Sequence, residues 1–225
     1  TNNNNRILRN TIRSTLAAAG DGIVVIGNGN TINKNTIGGA GTTITTGIGY
    51  SGLSSTIARN KILDVVGDGI NFGALTNSVD NVVKNNAIRR AGGVGLSAVT
   101  GIPQLGLSGN IFVDNKVTAS GGAANIAIVG VATSSNIVVR DNVASNAPAG
   151  FGMIVAGAPG VTVDDNNCNG NAASGLWVTT NNNDITDNEC SNNGLGPIGD
   201  GIFLAAGVQG NTVDGNTASS NSRYG

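Results

Sequence analysis

A six-residue pattern, apolar-x-x-Asn-x-apolar, recurs along the whole chain and is clearest at Ile57-Ala58-Arg59-Asn60-Lys61-Ile62. Its central residue falls at Asn10, Asn35, Asn60, Asn86, Asn115, Asn142, Asn166, Asn188 and Asn216, so successive copies lie 22 to 29 residues apart. A period in the twenties held from end to end is the signature of a solenoid, in which each repeat packs on its neighbours. Gly and β-branched residues interrupt any helical pattern every few residues, which disfavours helix. The expectation is an all-β chain, a parallel β-helix of about nine coils, forming a single domain over residues 1–225. At the usual strand spacing, nine coils make a rod about 40 Å long.

The apolar residues three before and two after each Asn, such as Ile57 and Ile62, belong to the core. An offset of five breaks the strict alternation of a strand, so the chain bends at the Asn. A second polar column lies five residues earlier, at Asn5, Asn30, Ser55, Asn81, Asn110, Asn183 and Asn211. Stacked side-chain amides of this kind form asparagine ladders. Each coil then has a second strand opened by Gly, as in Gly22-Ile23-Val24-Val25 and Gly175-Leu176-Trp177-Val178. There the first and third residues after Gly face inward and the middle one outward. The repeated Gly-Asp-Gly-Ile at 20–23, 67–70 and 199–202 reads as a turn in which Gly supplies positive φ and Asp bonds the backbone. The stretch 101–106 contains Pro103, which cannot donate to a strand ladder, and reads as a protruding loop.

The pattern φ-x-x-Asn-x-φ followed by Asp-Gly-Ile carries a resemblance, as in Ile185-Thr186-Asp187-Asn188-Glu189-Cys190 with Gly199-Asp200-Gly201-Ile202. Over nearly its whole length the chain resembles the right-handed parallel β-helix repeat proteins of the pectate-lyase-like superfamily. That resemblance implies a right-handed β-helix. It implies no single activity, because the superfamily includes polysaccharide lyases, hydrolases, epimerases, tailspikes, adhesins and non-catalytic repeats.

The residues exclude several chemistries. There is no His, which removes Ser-His-Asp and Cys-His catalysis and ordinary His-containing zinc sites. The Asp-Pro-His-Glu set of the epimerases it resembles is absent, as are the Asn-Thr-Asp and Gly-His-Gly sets of the hydrolases. Gly38-Gly39-Ala40-Gly41 and Gly92-Gly93-Val94-Gly95 are followed by no Lys-Ser/Thr and fail as phosphate loops. No apolar run approaches the roughly 18 residues of a membrane helix. A net charge of −1 makes no case for nucleic acid.

Charge is nonetheless divided along the chain. Residues 1–113 hold nine Lys/Arg and four Asp, a net +5; residues 114–225 hold three Lys/Arg and nine Asp/Glu, a net −6. The residue before the central Asn follows the same gradient, from Arg9, Lys34 and Arg59 through Asn85 to Asp114, Asp141, Asp165 and Asp187. Stacked carboxylates repel or recruit a cation, so Asp141, Asp164, Asp165 and Asp187 form a candidate Ca²⁺ site, with a solvated acidic stripe as the bland alternative. Outward positions Ile154, Trp177 and Phe203 should stack as an apolar stripe, read as a sugar-stacking surface or a face covered by a loop or partner. Cys168 and Cys190 share one inward position on successive coils. They are a disulfide candidate, or two stacked buried thiols, the latter favoured by the apolar character of the column.

These residues point first to a non-catalytic, extracellular or cell-surface β-solenoid of structural or adhesive kind. The chain starts and stops inside a repeat, so we expect a processed or truncated chain whose open coil ends self-associate head to tail into filaments. The alternative is a polysaccharide-binding or polysaccharide-processing, lyase-like β-helix.

Overall fold

The computed structural model describes residues 3–14, 20–73, 76–100, 106–194 and 198–225. The strands are two to six residues long and pair in parallel throughout. No helix occurs among the described residues. Three sheets run side by side along the rod, with nine, six and eight strands among the described residues. The first runs from Arg6–Leu8 to Thr212–Asp214, the second from Thr11–Ile12 to Val143–Ser145, and the third from Ile23–Ile26 to Ile202–Leu204. In later coils the second sheet thins to single bridges through Asn167, Glu189 and Thr217. The expected nine coils are therefore met only along the first sheet, and complete turns number about seven. The two strand segments expected per coil become three, because the bend at the Asn divides the first of them.

That bend is made by the residue before the Asn. Arg9, Lys34, Arg59, Asn85, Asp114, Asp141, Asp165 and Asp187 all have φ between 53° and 59°, and Gly215 has φ 66°. This left-handed conformation turns the strand of the first sheet into that of the second. The Asn itself then points inward and is buried from Asn35 to Asn188. Its Oδ1 accepts from both the backbone N–H and the Nδ2 of the Asn one coil earlier, at 2.8–3.1 Å, without a break from Asn10 to Asn216. Its second amide hydrogen goes to a carbonyl of the first sheet in the preceding coil, as from Asn60 to Ile32 O and from Asn142 to Phe112 O. The buried amides of this column thus use both their oxygen and their nitrogen, which is what burial requires.

The second column pairs Asn5 with Asn30 and Asn81 with Asn110, with Ser55 between. It is interrupted by the buried Ile137 and Val161 and resumes from Asn183 to Asn211. A third column, from Asn171 through Asn193 to Asn221, was not expected.

The core is a stack of like on like. Ile32, Ile57, Val83, Phe112, Val139, Val163 and Ile185 are buried on the first sheet, and Ile37, Ile62, Ile88, Val117 and Ala144 on the second. Each fully buried Ile or Phe contributes about 1.5–3 kcal/mol relative to exposure. Phe72 bridges two aromatic neighbours, stacked on Tyr50 at 5.5 Å and edge-on to Phe112 at 5.6 Å. Burial pushes the Tyr50 hydroxyl above its ordinary pKa, partly offset by Ser55.

The Gly-Asp-Gly turns work differently from the expectation. A Cβ on Gly22 or Gly69 would lie 2.6 or 2.4 Å from a carbonyl oxygen of the next coil. Glycine is required there by close approach of two coils. The Asp caps the next coil too: Asp21 accepts from Thr46 N and Asp68 from Val94 N. Of the expected loop at 101–106, residues 101–105 lie outside the described residues.

Candidate functional site

With the inward faces filled by the core and the amide columns, chemistry is left to the three outward faces. On the third sheet the outward middle positions align in register, Ile154 with Trp177 and Trp177 with Phe203. The expected stripe is therefore in place, but each of its members is half-buried rather than fully exposed. Phe151, two residues before the inward Met153, stacks on Trp177 with ring centroids 4.5 Å apart. Sequence reasoning missed Phe151, although alternation from Met153 would have placed it inward with the core and so given no signal. At the far end Arg223 lies over the Phe203 ring at 5.5 Å and beside Tyr224 at 5.4 Å. Its charge is committed to the buried Asp200 through two parallel hydrogen bonds. The Trp177 Nε1–H is buried and finds no acceptor among the described residues.

The same outward column forms a hollow nearer the N-terminus. Gly49, between Val24 and Asn71, has no side chain to fill its place. A cavity of about 170 Å³ opens there, lined by Asp21, Val24, Gly49, Tyr50 and Asn71 among others. Asn71 donates to Asp68 at 3.2 Å while its own Oδ1 is buried without a donor among the described residues. Burial pushes the Asp68 carboxyl above the usual carboxylate range, against the opposing pull of Val94 N–H and Asn71.

The four carboxylates expected to hold Ca²⁺ are not gathered. Asp141, Asp165 and Asp187 stand one per coil in the left-handed turn column and are exposed. Asp164 belongs to a neighbouring column of the first sheet, registered with Arg140 and Thr186, and accepts from Thr186 Oγ1 at 2.6 Å. Arg140 lies 3.8 Å from Asp141, a surface pair worth little. Among the described residues no group of three or more His, Cys, Asp or Glu side chains could hold a metal ion. Asp and Asn also suit the backbone at these positions, since they tolerate left-handed dihedrals better than most residues.

Cys168 and Cys190 stand on adjacent coils, and the structure joins them as a disulfide with Cα atoms 4.6 Å apart. That separation lies inside the range a disulfide allows. The stacked-thiol reading favoured by the apolar column is replaced, because one rung of a parallel sheet brings equivalent Cβ atoms within bonding reach.

The second sheet carries a feature the sequence reading did not assemble. Lys61, Ala87 and Lys116 are in register, as are Leu63, Arg89 and Thr118. They line a groove of about 290 Å³ with Arg90 at its edge. Arg90 binds Asp64 through both Nε and Nη2, the latter at 2.9 Å, which holds the Asp64 carboxyl below the usual carboxylate range.

Three parallel sheets, inward amide columns and a stacked apolar core define a parallel β-helix. The chain matches the family described as right handed beta helix region over residues 1–132 and 105–225, and it belongs to that family. Solved structures share the fold. The Dettilon tailspike protein is 17% identical with a TM-score of 0.73, covering 97% of this chain and 47% of its own. The Azotobacter vinelandii mannuronan C-5 epimerase AlgE6 A-module is 14% identical with a TM-score of 0.64, covering 89% and 53%. The periplasmic alginate epimerase AlgG is 19% identical with a TM-score of 0.51, covering 96% and 47%. The chain thus spans about half the length of these structures. No curated protein is significantly similar to it. Among the described residues no helix is long and apolar enough to cross a membrane.

Proposed function

We propose that this chain is a non-catalytic β-solenoid of adhesive kind that holds a polysaccharide against the outward face of its third sheet, outside the cell or at its surface. The observation that carries this reading is the aromatic platform: Trp177, stacked on Phe151 and registered between Ile154 and Phe203. Aromatic rings combine a large apolar face with a polar edge, which suits the alternating apolar and hydroxyl surfaces of a sugar ring. The hollow at Gly49 lies on the same column, five rungs away, so the two are about 24 Å apart along one line. A linear glycan lying along the rod would meet both. The printed names of two fold neighbours, a mannuronan epimerase and an alginate epimerase, concern polysaccharides, which agrees with the reading.

Its non-catalytic part rests on the absence of His and of the catalytic sets named above. Titration calorimetry with a panel of neutral and acidic glycans tests the proposal. Trp177→Ala should weaken the best ligand at least tenfold with an unchanged circular dichroism spectrum. Equal binding by wild type and Trp177→Ala would remove the platform as the site.

A further inference from the structure

We infer that the outward face of the first sheet is the interface of an antiparallel dimer, the partner being a second copy of this chain. The first residue of each strand there points outward, and Thr56, Val82, Ile111, Val138 and Thr162 stand in register on successive coils. Their order reads the same in both directions about Ile111, with a valine and then a threonine on each side. Ile111 is 36% exposed at the centre. The edge of the same face carries a matching pattern in charge. In the left-handed turn column, Lys34 and Arg59 lie three and two rungs to one side of Asp114, and Asp165 and Asp187 two and three rungs to the other. All four are exposed, and none of them has an ion-pair partner among the described residues.

A two-fold axis running along the Ile111 strand reverses the rod and keeps each column opposite itself. Val82 of one copy then meets Val138 of the other, and Thr56 meets Thr162. Lys34 lies opposite Asp187 and Arg59 opposite Asp165, so each ion pair is made twice. A closed two-fold contact requires such a self-complementary patch, and an apolar centre with a charged rim is its usual build. A parallel pairing would set residues 1–113, net +5, against the same residues of the second copy, so charge selects the antiparallel form. Lys84 opposite Arg140 is a like pair, relieved by Asp141 at 3.8 Å from Arg140. Asp114 meets its own copy on the axis. The aromatic platform lies on another sheet and stays free in this dimer. A strip three residues wide is small for a specific interface, so the dimer should be a weak one.

Sedimentation equilibrium of the whole chain between about 1 μM and 1 mM, the range of weak complexes, should show monomer and dimer exchanging. Lys34→Asp/Arg59→Asp and Asp165→Arg/Asp187→Lys each place like charges opposite one another. Each should weaken the dimer about tenfold or more, while a mixture of the two chains should pair as wild type does. Asp, Arg and Lys already occupy this turn in other coils, so both chains should keep the wild-type circular dichroism spectrum. Ile111→Lys should also weaken the dimer, and Asp114→Asn should tighten it. Because facing sheets pack about 10 Å apart, a short bis-maleimide should join a Thr56→Cys chain to a Thr162→Cys chain and neither chain to itself. Trp177→Ala should leave the dimer intact, so the interface and the platform stand or fall separately. A monomer at every concentration, open-ended growth, full dimerisation by Ile111→Lys or by the charge variants alone, no rescue in their mixture, or self-linking of either Cys chain would overturn it.

Discussion

Asn142 shows how much of the rod depends on one side chain. Its Oδ1 accepts from Asn115 N and Nδ2, and its Nδ2 donates to Phe112 O and Asn166 Oδ1. Removing it strands a buried backbone N–H and breaks two amide links, each worth about 1 kcal/mol net and more when a partner is left unpaired. Asn142→Ala should therefore lower the unfolding free energy by about 3 kcal/mol or more in urea denaturation; a loss under about 1 kcal/mol would contradict the ladder. The residue before each Asn obeys a different rule. At Asp165, φ 53°, Gly should be tolerated within about 0.5 kcal/mol, while Val should cost about 1–2 kcal/mol. A Val variant as stable as wild type by the same measurement would show that the turn is not constrained. The Asn spacing made the ladder legible in the sequence. The bend was legible from the offset of five, but the left-handed residue that makes it was not, because Arg9, Lys34 and Arg59 occupy it alongside Asp and Asn, so the position was read for its charge.

Strands of three residues bury too little to stand alone, and each coil relies on the one beside it. The disulfide between Cys168 and Cys190 ties two coils together where the second sheet has thinned to single bridges. It closes a segment of 22 residues, for which loop entropy predicts a contribution of about 3 kcal/mol. Cys168→Ala/Cys190→Ala should lose about that much, and alkylation of the denatured wild type without reductant should label neither sulfur. Labelling of both would restore the thiol reading. The third amide column was within reach of the sequence, since Asn171, Asn193 and Asn221 each follow a first-column Asn by five residues. Val65, Ala91 and Ala147 hold the equivalent place in earlier coils, and that change from apolar to amide hid the period. The groove was missed for another reason. Lys61 and Arg89 come from different columns of adjacent coils, and only register brings them to one place.

Along the whole rod, the interior is uniform and the outward faces differ. Cations gather on the second sheet in the middle coils, while aromatic rings gather on the third sheet toward the C-terminal end. A solenoid allows this division because one outward position can change without disturbing the stack beneath it. The family membership fixes the scaffold and leaves the ligand to those faces. Trp177 is the only tryptophan in the chain, so its fluorescence reports on the platform alone. Titrating a glycan panel while following that emission should give a saturable change with at least one polysaccharide, abolished by Phe151→Ala. No change with any glycan, or a change that persists in Phe151→Ala, would contradict the assignment of the third sheet as the saccharide-binding face.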